Sequence, residues 1–164
     1  RQESLYNGKC LYSFLDNHDV SRIASQLSDK RDLKLIYALL FTLPGIPSIY
    51  YQSEFGINGN KKDGDKKLRP KSQFIDSNNL TYHIKNLCEL NKKYKSFSQG
   101  KYKEIKLTNE FYCFARDLNE EQTLCAINIS NKDVQLNYNN INLNLPPKSE
   151  QIFVNNNCVS FEMG

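Results

Sequence analysis

Two short apolar runs, Leu11 to Leu15 and Ile46 to Tyr51, flank one helical pattern, and that order constrains this chain more than any other feature. Between them Leu33, Ile36, Tyr37 and Leu40 fall at i, i+3, i+4 and i+7, the spacing of a single helix face. Ser28 or Asp29 can cap the free N–H groups at its start, so a helix is predicted from Lys30 to Leu43. Leu39, Phe41 and Leu43 make its second half apolar nearly all round, which requires burial there. Pro44-Gly45 stops it, and Pro47 is tolerated near the start of a strand. Strand, helix and strand in this order form a βαβ unit with parallel strands and a right-handed crossover. A buried parallel strand delivers chemistry at its carboxyl end, and the first run ends abruptly in Asn17-His18-Asp19.

An imidazole beside a carboxylate can bind vicinal hydroxyls: the carboxylate accepts hydrogen bonds and the imidazole donates one. By itself such a triplet is also the composition of a turn or a helix cap. Residues Arg1 to Lys9 are polar and read as a loop or a frayed helix end. Gln52 to Lys71 is a polar loop made turn-rich by Gly56, Gly59 and Gly64. Its Asp63-Gly64-Asp65 lacks the EF-hand spacing and the closing Glu that calcium needs. Lys61-Lys62 and Lys66-Lys67 bracket those acids and read as a solvated loop, not a phosphate track. A second helix is predicted from Asn79 to Lys95, with Leu80, Ile84, Leu87 and Cys88 on one face and Lys92, Lys93 and Lys95 suiting its negative end. Ser96 to Gly100 ends it.

From Tyr102 the period changes to two, in short alternating runs separated by Asn-rich turns such as Asn119-Glu120 and Asn155-Asn156-Asn157. The runs are Tyr102 to Leu107, Phe111 to Asp117, Thr123 to Ser130, Val134 to Tyr138, Asn142 to Leu145, Glu150 to Val154 and Cys158 to Glu162. Strands at this spacing point to an antiparallel β-sandwich, with Thr123 to Ile129, apolar on both faces, in its centre. This half is expected to be able to fold alone.

Composition narrows the function. A net charge of +4 from 22 basic and 18 acidic residues, alternating in sign with no basic stripe, argues against a nucleic-acid binder. No run reaches the ~18 apolar residues of a membrane span. The five cysteines include no C-x-x-C pair, and several lie at apolar positions, so free buried thiols and a reducing, cytoplasmic setting are favoured. His18 and His83 are the only histidines and have no ligand spacing for zinc. The chain starts with Arg and reads as a piece of something longer, which leaves the location of its parent unknown.

Taken together, Phe14-x-x-Asn17-His18-Asp19, then Gly45-Ile46-Pro47-Ser48-Ile49-Tyr50-Tyr51-x-x-Glu54-Phe55-Gly56, then Leu68-Arg69-Pro70 resemble the C-terminal portion of an α-amylase-family glycoside hydrolase. Asn128-Ile129-Ser130 and Leu145-Pro146-Pro147-Lys148-Ser149 resemble segments of that family's C-terminal domain. The resemblance implies an α+β fragment: residues 1–98 as the last quarter of a (β/α)8 barrel, strands seven and eight with their helices, and residues 99–164 as the β-sandwich domain. It implies a retaining hydrolase of α-1,4-linked glucans such as starch and maltodextrin, using a carboxylate nucleophile and a carboxylic acid about 5 Å apart. Those two groups belong to barrel strands four and five, and this chain begins after both. By the same resemblance Asp19 stabilises the transition state at the cleaved sugar, and His18 hydrogen-bonds that sugar. Asn17 and Arg22 organise the substrate-binding rim, with a rim salt bridge as the plainer role for Arg22. Glu54 is expected to be a structural partner of an arginine. No cofactor is expected in this chain, and any calcium of the parent lies outside it.

Gln52 stands where the family usually has Gly, which puts the backbone shape after the second strand in question. A quarter barrel has open edges and unpartnered apolar faces, so self-association through residues 11–51 is expected. Without nucleophile and acid the chain alone is not expected to hydrolyse starch. Asp16 and Asp19 lie too close on one strand end to flank a glycosidic bond. The competing reading is a non-catalytic carbohydrate-binding or oligomerisation β-sandwich module. Tyr102, Tyr112 and Tyr138 would be its platforms, though core packing suits each of them, and there is no Trp.

Overall fold

The computed structural model describes residues 11–71 and 74–160. The opening polar segment, Cys10 and the end of the last expected strand lie outside them. Strand β1 (Tyr12–Phe14) pairs in parallel with β2 (Ile46–Ser48), Tyr12 opposite Ile46 and Phe14 opposite Ser48. The parallel pairing follows the expected βαβ order. Both strands are shorter than their apolar runs, because each has one hydrogen-bonded neighbour and the ladder ends where that neighbour turns away.

A short helix α1 (Ile23–Gln26) follows β1, and the crossover helix α2 runs Asp32–Thr42. Asp29 makes the turn that starts α2: its Oδ1 accepts the Arg31 N–H at 2.9 Å and its carbonyl accepts the Asp32 N–H at 3.1 Å. The buried arc of α2 is wider than the predicted face, taking in Leu35, Ala38 and Phe41, because the helix is covered from more than one side.

The loop after β2 is more ordered than its polarity implies. It contains 3-10 turns at Ser53–Phe55 and Lys61–Asp63 and a short helix α3 (Asp65–Leu68). Helix α4 (Asn79–Lys93) begins with a capping box: Asn78 Oδ1 accepts the Leu80 and Thr81 N–H groups, and Thr81 Oγ1 accepts the Asn78 N–H. The segment expected only to end this helix forms α5 (Ser96–Gln99) and buries Phe97 in the core.

Seven strands follow: β3 (Lys101–Leu107), β4 (Phe111–Leu118), β5 (Glu121–Asn128), β6 (Val134–Tyr138), β7 (Ile141–Leu145), β8 (Ser149–Val154) and β9 (Asn157–Cys158). Five form an antiparallel sheet in the order β3-β4-β5-β8-β9, and β6 and β7 form a separate hairpin. Asn119, Asn139, Asn140, Asn155 and Asn156 all have positive φ. Asparagine tolerates that region better than other residues with a Cβ, so the heavy use of Asn serves the tight turns.

Strand β5 is central, as its two-sided apolarity implies. Leu124 and Ala126 face the hairpin residues Leu143 and Leu145. Cys125 and Ile127 join Phe114, Ile152 and Val154 against the helices in one continuous core. The second half therefore has a core of its own between sheet and hairpin, and the helices cover the other face of its sheet. Tyr102 and Tyr112 bond hydroxyl to hydroxyl and pack on Phe114, which is the core role and not a binding platform. Cys88, Cys113, Cys125 and Cys158 carry free thiols. Burial pushes Cys113 and Cys125 up to about 12, which makes both inert, whereas Cys158 is exposed. Among the described residues no helix is long and apolar enough to cross a membrane.

Candidate functional site

At the carboxyl end of β1 the chain turns Asp16 inward. Its Oδ2 accepts the Ile23 N–H and its Oδ1 accepts the Ser53 hydroxyl, both at 2.8 Å. The first of these bonds closes a loop, residues 17–22, at its base. Inside the loop Asn17 Oδ1 accepts the Asp19 N–H at 2.8 Å, an Asx turn that a short polar side chain favours. His18 and Asp19 are thereby displayed outward, with side chains 54% and 63% exposed and His18 Nε2 3.1 Å from Asp19 Oδ2. Arg69 Nη2 approaches Asp19 Oδ1 at 3.7 Å from the loop after β2, and the Tyr50 ring lies 6.4 Å from that of His18. So Asn17, His18 and Asp19 come together at one rim, Asn17 shaping the backbone and the other two facing solvent.

Arg22 does not join them at the rim surface. It lies beneath, fully buried. Its Nη1 donates to the Tyr51 carbonyl and to Ser53 Oγ, each at 2.8 Å, and its Nη2 to the Leu68 carbonyl at 2.7 Å. The guanidinium lies 4.3 Å from the centre of the Tyr50 ring. Nor is it a rim salt bridge: Asp16 reaches it only through the Ser53 hydroxyl. The Glu54 carbonyl accepts the Thr81 hydroxyl at 3.2 Å.

Gln52 has φ 65° and ψ −2°, a left-handed conformation. That is the shape a glycine adopts freely, and Gln52 adopts it at some cost. The backbone after β2 therefore makes the turn that a glycine would make there without strain. Gly59 is needed for space: a Cβ there would lie 2.5 Å from the Lys67 carbonyl oxygen. Three residues of this site, Ser53, Tyr50 and Arg69, were not legible as such. Ser53 and Arg69 sit within segments that resemble the family, but nothing in their spacing says which atoms they meet.

Two other clusters lie away from the rim. His83 Nε2 is 3.5 Å from Glu150 Oε1, across the seam between α4 and β8. A cleft of about 270 Å³ is lined by Lys30, Arg31, Lys34 and Lys148, among others. Its charges are largely engaged: Lys148 pairs with Asp32 at 2.9 Å, and Arg31 with Asp29 at 2.8 Å. Among the described residues no group of His, Cys, Asp and Glu is placed to hold a metal ion.

Comparison with known proteins gives this geometry a context. The family profile described as "Alpha amylase, catalytic domain" matches residues 1–92. A cyclomaltodextrin glucanotransferase of Bacillus sp. (strain 1-1) is 31% identical over 134 residues, 82% of this chain and 18% of the relative. An alpha-amylase of Niallia circulans is 31% identical over 117 residues, 71% of this chain and 22% of the relative. The fold resembles the crystal structure of Geobacillus thermoleovorans alpha-amylase complexed with acarbose, with a TM-score of 0.77 at 23% identity over 88% of this chain and 38% of that one. A cyclomaltodextrin glucanotransferase with a three-domain ABC distribution superposes with a TM-score of 0.78 at 26% identity, covering 92% of this chain and 37% of its own. The chain thus spans 18% and 22% of the length of these two curated relatives. With the catalytic-domain profile matching more than half of its residues, the chain belongs to the alpha-amylase family.

Proposed function

We propose that this chain is the C-terminal part of an enzyme acting on α-1,4-linked glucans. In this reading β1 and β2 are the seventh and eighth strands of a (β/α)8 barrel, residues 1–98 complete its last quarter, and residues 99–164 are a C-terminal β-sandwich domain. The observation that carries it is the display of His18 and Asp19, 3.1 Å apart and solvent-facing, at the carboxyl end of a parallel strand. That is where barrel enzymes of this architecture hold their catalytic groups.

The chemistry follows from the charges. Cleavage of a glycosidic bond develops positive charge on the sugar ring, and a fixed carboxylate beside the ring stabilises it. Asp19 supplies that carboxylate and accepts hydrogen bonds from the ring hydroxyls, and His18 donates one. Nucleophile and general acid come from strands four and five of the barrel. Among the described residues no second carboxylate at this rim replaces them: Asp16 is committed to Ile23 and Ser53, and Asp19 faces outward beside His18 and Arg69. The chain by itself is therefore inactive. The names of the relatives, amylase and glucanotransferase, support α-glucan as the substrate class and leave water or a second sugar as the acceptor.

Turnover of maltooligosaccharide by this chain and by the full-length enzyme, each with and without Asp19→Ala, tests the reading. We expect no activity from the chain and an active full-length enzyme. Asp19→Ala should slow that enzyme by ~10³-fold or more, the scale of losing a charge-stabilising group. Hydrolysis by the chain alone, or an indifferent Asp19→Ala enzyme, overturns it.

A further inference from the structure

We propose that Asp16, Ser53 and Arg22 form a buried positioning relay that sets the rim loop carrying His18 and Asp19 and holds Arg69 opposite Asp19. The inference deepens, and rests on, the reading of that rim as the sugar-binding edge. His18, Asp19 and Arg69 all have side chains about half exposed or more. Exposed ion pairs hold geometry weakly. A group that must meet a transition state needs its position set from beneath, by residues that are themselves locked.

The relay has that character. Ser53 Oγ donates to Asp16 Oδ1 and accepts from Arg22 Nη1, each at 2.8 Å, and a hydroxyl can do both at once. A buried carboxylate and a buried guanidinium thus compensate each other through one hydroxyl, which offsets the cost of burying either alone. From the acidic end, Asp16 binds the first amide of α1 and so fixes the span of residues 17–22. From the basic end, Arg22 reaches the Tyr51 and Leu68 carbonyls and stacks on Tyr50. Leu68 precedes Arg69, and the Pro70 carbonyl that follows accepts the Tyr51 hydroxyl at 2.8 Å. Arg69 is therefore anchored on both sides before it reaches Asp19. One guanidinium ties together the chain after β1, the chain after β2 and α3, the segments that build the rim.

The test uses Ser53→Ala, which cuts the relay while leaving the bond from Asp16 to Ile23, and Ser53→Thr, which keeps the hydroxyl. In the full-length enzyme Ser53→Ala should lower kcat by ~10²-fold, the scale of a misplacement near 1 Å, with a smaller change in KM. Ser53→Thr should recover much of it. In this chain, Ser53→Ala should speed amide exchange at Asp19 and Ile23, while the amides of Leu35 and Leu87 in the core keep their protection. Should Ser53→Ala fail to fold, Ser53→Cys, with its weaker hydrogen bond, takes its place in both arms. Unchanged kcat and unchanged exchange overturn the relay. A wild-type full-length enzyme without activity on any α-glucan sinks the functional reading instead, and the exchange measurement then decides the relay alone.

Discussion

His83 and Glu150 meet with side chains 8% and 11% exposed, and both are disfavoured as ions. Burial lowers His83 from 6.5 to about 4, outweighing its bond to the Lys34 carbonyl, and burial raises Glu150 from 4.5 to about 7. Between about pH 4 and 7 the contact is thus between neutral groups, with Glu150 keeping its proton. Between about pH 4.5 and 7 the folded chain retains the Glu150 proton that the unfolded chain has lost, so this group alone makes stability fall as pH rises. Between about pH 4 and 6.5 folded His83 refuses a proton that the unfolded chain takes, so this group alone makes stability fall as pH drops. Where the windows overlap the folded and unfolded pairs each carry one proton, and the slopes cancel. His83→Gln removes one slope. Stability of that variant, from urea denaturation at pH 4 to 8, should decline by about 3 kcal/mol as pH rises through the Glu150 window. A profile as flat as that of the wild type would show that Glu150 is ionised in its buried site. The same scale separates what could be read from what could not. His83 was visible as a histidine without zinc spacing, but Glu150 lies in another period of the chain and only packing brings them together.

At the level of elements, helix caps were less legible than helix faces: α2 is capped at Arg31 with no side-chain bond, not by Ser28 or Asp29, and the cap of α4 was not read at all. The capping box at Asn78 and Thr81 satisfies both ends of one turn, and Asn78 also donates to the Phe55 carbonyl at 3.1 Å. Asn78→Ala should therefore cost about 1–2 kcal/mol, measured as a shift of the denaturation midpoint, at the upper end for an N-cap because a loop contact is lost with it. A cost near zero would mean that water replaces both bonds. Helix α2 was found from Leu33, Ile36, Tyr37 and Leu40, yet Ile36 is only half buried while Leu35 and Ala38 are enclosed. Periodicity identifies one face. It does not show that α4 and the sheet approach from two sides. Residues 96–100 read as a terminator because Ser and Gly dominate them; Phe97 was the signal that they pack.

At the scale of the molecule, the face made by β1 and β2 is unfinished. Tyr12, Phe14 and Ile46 share one side of the pair and are 71%, 50% and 44% exposed. Among the described residues each strand has one open edge. Large apolar side chains beside unpaired backbone groups favour association. The isolated chain should therefore self-associate as concentration rises, and replacing Tyr12 and Ile46 together by Lys should shift it toward monomer in light scattering. A wild-type chain that stays monomeric at high concentration would show that this face needs no cover. The opposite side of the molecule is finished, because the five-stranded sheet and the helices close one core between them.

The sequence by itself determined the parallel order of the first two strands, the alternating strands of the second half and the motif at the rim. Each of these depends on residues close along the chain, where period and turn chemistry act directly. Tertiary structure alone decided that Arg22 is a buried hub, that Asp16 closes the rim loop, and that the helices cover the sheet. Ser53 lies 31 residues from Arg22 and 37 from Asp16. Contacts over such separations form only once the apolar faces have packed, so no local pattern announces them.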